Sequence, residues 1–203
     1  MDISLIDYRG MNLISKMAGK EISTSTLTPT MLFLAALVTI LLGVVMIDGS
    51  MTDAEWQHLQ SVLNALVPSG GPGYPLRQQL LQTTQRHQIY LNPYHVSTLV
   101  MPLSESERLL LLGLGYEMAR ADGELNTREI MFLRAIAKRM QVTPRHLASM
   151  EACFIHHQPP HPAVLEELKK LLAPSQIQSI NVACTHFATN ILSVFNTIPA
   201  PIR

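Results

Sequence analysis

Apolar positions along this chain fall into helix-length runs separated by polar turns. Residues 31–47 read MLFLAALVTILLGVVMI, broken only by Thr39 and Gly43. Thr28-Pro29 supplies an N-cap and a first-turn proline just ahead of the run, which predicts a helix from there to about Ile47. Asp48-Gly49 then turns the chain. Thr52, with Glu55 three residues on, has the pattern of a capping box and opens a second helix. Along that helix Trp56, Leu59, Val62, Leu63 and Leu66 recur at helical spacing, and the Pro/Gly-rich stretch 68–73 ends it.

The second half repeats the pattern. Ser104 and Glu107 form another capping box, ahead of an apolar run to about Ala121. Asp122-Gly123 turns the chain, Asn126 caps, and Glu129 is placed to reach back. Ile130, Leu133, Ile136, Ala137 and Met140 then match the five core positions of the first copy, each shifted by 74 residues, the offset from 48 to 122. Such self-similarity marks a duplicated helix–turn–helix unit. Between the copies, 75–91 reads as a Gln-rich helix with an apolar edge, and Asn92-Pro93 starts a short one. Thr143-Pro144 starts another, residues 156–162 form a His- and Pro-rich hinge, and helices follow over about 163–172 and 175–195. No run alternates in the manner of a strand. The expected class is all-α: a helical bundle built from two pseudo-symmetric helix–turn–helix repeats plus C-terminal helices. Residues 1–27 form a loosely attached or partner-dependent N-terminal arm, in which Ile3, Ile6, Leu13, Ile14 and Met17 could line one side of a short helix at imperfect spacing; 28–155 form the helical domain, and 156–203 an extension packed on it.

Composition sharpens this in two respects. The chain is 47% hydrophobic but only 5% aromatic, so its core must be aliphatic. Fifteen basic and fifteen acidic residues cancel, and no basic stripe stands out, which argues against a nucleic-acid partner. Cys153 and Cys184, too far apart in sequence for a zinc knuckle, read as buried small hydrophobes in a reducing compartment.

The run 31–47 raises the question of a membrane. At ~1.5 Å per residue it reaches about 25 Å, short of a ~30 Å hydrocarbon core. Its repeat partner, 105–121, carries Glu105, Glu107, Arg108, Glu117 and Arg120, whereas 31–47 is apolar on every side. A helix of that kind is central, or it touches something beyond the bundle. Cover by the two C-terminal helices is expected first, with a partner protein or a membrane surface as alternatives.

The duplicated turns carry the candidate chemistry. Counting from the Asp, places 1, 3, 5 and 8 hold Asp48, Ser50, Thr52 and Glu55 in one copy and Asp122, Glu124, Asn126 and Glu129 in the other; Asp53 adds a carboxylate to the first. Oxygen ligands at alternate positions, closed by a Glu on the next helix, suit a hard cation such as Ca²⁺ or Mg²⁺. The loop is no EF-hand: it is shorter, its Gly stands at place 2, and the Glu at place 12 is missing. Capping accounts for the same acids without any metal. His156, His157 and His161 near Cys153 include transition-metal ligand types, but the neighbouring prolines favour a plain hinge. No nucleophile–base pair or phosphate loop has support.

Ala121-Asp122-Gly123-Glu124-Leu125, followed by Glu129 and Phe132-Leu133, resembles the signature of tellurite-resistance TerB-like domains, and Ile47-Asp48-Gly49 fits the same pattern. The resemblance covers about residues 28–150. It implies a compact all-helical bundle whose acidic turns bind divalent cations, with Asp48, Asp53, Glu55, Asp122, Glu124 and Glu129 as ligands. Ser50 opposite Glu124, and Thr127 opposite Asp53, leave this chain less acidic than the family pattern. The resemblance also implies an accessory or adaptor role in a stress-response or membrane-linked assembly.

The expectation is a non-enzymatic interaction module with a protein partner, cytoplasmic or peripheral to a membrane, with Ca²⁺ or Mg²⁺ as the candidate cofactor. The competing expectation is a membrane-associated protein anchored through 31–47; a metal-dependent hydrolase stands third. Tellurite resistance itself does not follow from a fold.

Overall fold

The computed structural model describes residues 6–123, 126–177 and 181–197. Among them are eleven α-helices and no strand: α1 (Tyr8–Ala18), α2 (Pro29–Met46), α3 (Asp53–Leu66), α4 (Tyr74–Arg86), α5 (Pro93–Val100), α6 (Glu105–Met118), α7 (Thr127–Arg139), α8 (Pro144–Phe154), α9 (Pro162–Leu171), α10 (Pro174–Ile177) and α11 (Val182–Thr197). A 3-10 turn, Ile89–Leu91, joins α4 to α5.

Helix starts follow the capping residues. Thr28, Thr52, Ser104, Asn126 and Thr143 each accept a backbone N–H of the first turn with a side-chain oxygen. At Thr52, Ser104 and Asn126 the glutamate three residues on reaches back to the cap N–H and completes the box.

Two helices apolar on nearly every side form the centre. α2 is buried without a break from Leu32 to Val45. Thr39 is tolerated there because its Oγ1 donates to the Ala35 carbonyl at 2.8 Å. α6 packs against α2 and is buried from Leu109 through Tyr116. Its charged residues sit near its ends, where Arg108 donates to the carbonyls of Met140 and Met101 at 2.9 and 2.7 Å. By length and composition α2 could cross a membrane, yet 78% of it is buried inside the bundle.

The cover of α2 differs from the expected one. It comes from α1, α4, α5 and α7, while α11 lies on α6, α3 and α8. The reason is that α6 needs a roof of its own. Ile191 and Phe195 of α11 are buried, and Ile191 seats on Gly113, where a Cβ would stand 2.4 Å from its Cδ1.

Other boundaries also differ. Within the N-terminal arm, Leu13, Ile14 and Met17 line one side of a short helix as their spacing suggests, and α1 is packed where a loose attachment was expected, burying those three against α4 and α5. The helix expected through Leu91 stops at Arg86, two residues before Gln88 takes a left-handed φ of 46°. The expected 175–195 helix becomes α10 and α11. The Asn181 side chain caps the start of α11, accepting from Ala183 N–H at 2.9 Å and donating to the Leu66 carbonyl at 3.2 Å.

Candidate functional site

The two Asp-Gly elbows share one local geometry. Gly49 and Gly123 have φ of 97° and 87°, in the left-handed region that glycine enters without strain. Each glycine N–H returns to the carbonyl three residues back, Met46 and Arg120, at 3.2 and 3.0 Å. Each elbow leads into a capping box, at Thr52/Glu55 and at Asn126/Glu129. Four of the five matched core pairs are buried on both sides: Leu59 with Leu133, Val62 with Ile136, Leu63 with Ala137, and Leu66 with Met140. The fifth is looser, since Trp56 is 42% exposed.

The elbows also meet. Asn126 Nδ2 donates to Asp48 Oδ2 at 3.2 Å, a bond spanning 78 residues of sequence. The same side chain caps α7 with its oxygen, which accepts from Arg128 N–H at 2.9 Å. Asp48 spends its other oxygen on its own turn, accepting from Ser50 N–H at 3.1 Å. Glu55 and Glu129 are each 4% exposed. Glu55 Oε2 accepts from the Thr52 backbone N–H at 2.7 Å and from its hydroxyl at 2.8 Å; Glu129 Oε2 accepts from Asn126 N–H at 3.3 Å.

Glu129 records this crowding. Burial first, and then the charges of Glu55, Asp48 and Asp122, push its carboxyl up to about 7, against the pull of the Asn126 N–H. A carboxyl so placed sits close to half-ionised at neutral pH. Two helix N-termini, those of α3 and α7, end at the same place, and their partial positive charge offsets part of the repulsion.

Of the six acids expected as ligands, Asp48, Glu55 and Asp122 thus each act on Glu129. Asp53 stands exposed on the first turn of α3, and Glu124 falls outside the described residues. Among the described residues no three His, Cys, Asp or Glu side chains converge closely enough to ligate one ion. The geometry is an acidic patch shared by two capped helix starts, with oxygens already committed to hydrogen bonds. It can attract a hydrated cation and can bind or release a proton; it is no closed cage.

The sequence presents the two turns as separate sites, with Asn126 as a cap and an oxygen-bearing position of its own turn, and not as a link between them. One signal was available: the copies place Thr52 and Asn126 at equivalent positions, and the Thr52 hydroxyl spends its one proton on Glu55 Oε2, whereas the amide carries its donors on a different atom from the oxygen that caps the helix. The His-rich hinge is what it looked like. His156, His157 and His161 are exposed, Cys153 is buried, and His161 Nδ1 accepts from Ala163 N–H at 3.3 Å.

With this geometry in hand, comparison with known proteins adds one result. The family model described as Tellurite resistance protein TerB matches residues 34–152. No curated protein and no solved structure matches the chain.

Proposed function

Because the chain belongs to the TerB family of tellurite resistance proteins, whose model spans more than half of it, we propose that it is a non-enzymatic interaction module whose joined acidic elbows bind a divalent cation. The observation that carries this reading is that Asp48, Glu55 and Asp122, from both elbows, add their charges to the burial that holds the Glu129 carboxyl near 7. A cation placed there would relieve that repulsion and release the proton. Asp48 and Asp122 are the ligands best placed for it, one from each elbow, with Glu129 as the responsive group.

The absence of a three-carboxylate group among the described residues favours a water-rich, weakly held ion. That is the habit of Mg²⁺, which keeps several waters and takes one or two carboxylates, more than of Ca²⁺, which wants six to eight oxygens. A cation at this point would tie α3 to α7 and stiffen the face that a partner protein in a stress-response or membrane-linked assembly would read. Anchoring through 31–47 is the weaker reading, because it would have to strip α2 of the four helices that cover it.

Titrating MgCl₂ and CaCl₂ against the melting temperature tests the proposal. A ligand bound only by the folded state adds about 1.4 kcal/mol at ten times its Kd. For a chain of this size that is a rise of a few degrees. Asp122→Asn should remove most of the rise. A melting temperature that stays flat through millimolar levels of both ions would refute cation binding.

A further inference from the structure

The joined elbows leave the N-terminal helix without a role, and α1 lies outside the stretch that the family model matches. One face of α1 carries Arg9, Asn12, Leu13 and Lys16 at helical spacing. That face forms one wall of a cleft of about 310 Å³, closed opposite by Ile89, Tyr94 and His95. The size is at the small end of small-molecule sites.

Its lining is one-sided. Every polar side chain there can donate a hydrogen bond, two are permanent cations, and none is an acid. Neither Arg9 nor Lys16 has an ion-pair partner among the described residues. The acid beside the cleft, Asp7, caps α1 and accepts from Gly10 N–H at 2.8 Å. His95 Nδ1 is buried with no hydrogen-bond partner. Burial, and then the charge of Lys16, hold that imidazole below its ordinary range. Leu13 and Ile89 are buried and Tyr94 is half-exposed, which supplies an apolar side to the same space.

We propose that this cleft binds a phosphate monoester carrying a small apolar body. Two cations and an imidazole suit a ligand of about −1.5 to −2 charge, which a monoester carries at neutral pH, better than a monoanionic carboxylate. Arg9 takes two phosphoryl oxygens with its planar fork, Lys16 adds a point charge, and His95 meets the third oxygen. The organic body lies against Leu13 and Tyr94. The same chemistry could be presented by a soluble metabolite or by a lipid headgroup.

The test uses the full chain and phenyl phosphate, followed through the NMR signals of the His95 ring and the Arg9 guanidinium. The expected result is a saturable shift at millimolar concentration or below. Arg9→Gln and Lys16→Gln should each weaken binding about tenfold or more, as loss of a charge-assisted hydrogen bond does. Both side chains are exposed, so the variants should keep the wild-type far-ultraviolet spectrum. A parallel arm measures co-sedimentation with phosphatidylcholine vesicles with and without phosphatidic acid. Binding to the acidic vesicles alone, lost in the double variant, supports the site and identifies a lipid headgroup as its source. No saturable shift by about 10 mM phenyl phosphate together with no vesicle binding overturns the proposal. Binding that is unchanged in the double variant overturns it as well.

Discussion

Replacing Glu129 by Gln separates the electrostatics of the elbows from their shape. Glutamine can still accept from the Asn126 N–H, so the capping box survives; only the titration is lost. In the wild type the folded carboxyl holds its proton to about 7, against an ordinary value of 4.5. Between those values the folded state binds a proton that the unfolded chain has already released. Stability therefore falls as pH rises through this window and levels off above it. The full displacement sets a ceiling of about 3 kcal/mol, and water at the turn should reduce the realised loss to about 1–2 kcal/mol. Glu117 complicates the raw profile, because burial, partly offset by Arg120, pushes its carboxyl up to about 7 as well. The informative quantity is thus the difference between wild type and variant in urea denaturation at pH 5, 6, 7 and 8. Glu129→Gln should be less stable than or equal to wild type at pH 5 and more stable at pH 8. If the two curves run parallel, the Glu129 carboxyl is not raised in the folded state, and the cation proposal loses its premise.

Other perturbations probe other parts of the molecule. Asn126→Ser should keep the cap but lose the amide bond to Asp48, lowering urea-derived stability by about 1 kcal/mol. Arg77→Met should cost about 2 kcal/mol or more. Arg77 is 2% exposed, and its removal orphans the Val67 carbonyl that it meets at 2.7 Å. Gly43→Ala should destabilise by about 1–3 kcal/mol in the same assay, because the new Cβ would lie 2.2 Å from Cζ of Phe132. Cys153 and Cys184 are buried, with thiols pushed up to about 11 and about 12. Alkylation by iodoacetamide at pH 8 should therefore be slow in buffer and complete in urea; rapid labelling of the native chain would contradict the packing.

What was legible in advance is what is local. Thr52/Glu55, Ser104/Glu107 and Asn126/Glu129 advertise helix starts within four residues, and the structure has a helix start at each. The duplicated Asp-Gly elbows were equally visible, because a turn needing positive φ must put glycine there. The cover of α2 was not legible. A helix apolar on all sides has no preferred face, so its neighbours cannot be read from its own sequence. α1 was underrated because its apolar positions, Leu13, Ile14 and Met17, are few and its exposed face is strongly polar. The meeting of the elbows is tertiary: nothing within ten residues of Asp48 announces an amide from Asn126.

The seating of Ile191 on Gly113 bears on what counts as a unit. The region shared with relatives stops at residue 152, yet the leucines of its central helix are roofed from beyond that point, and α1 shields the opposite flank. The heritable segment and the folding segment therefore differ in size. A fragment cut at the family borders would carry a greasy stripe on each side, ready to stick to its neighbours. In this chain, α1 and α11 supply the insulation.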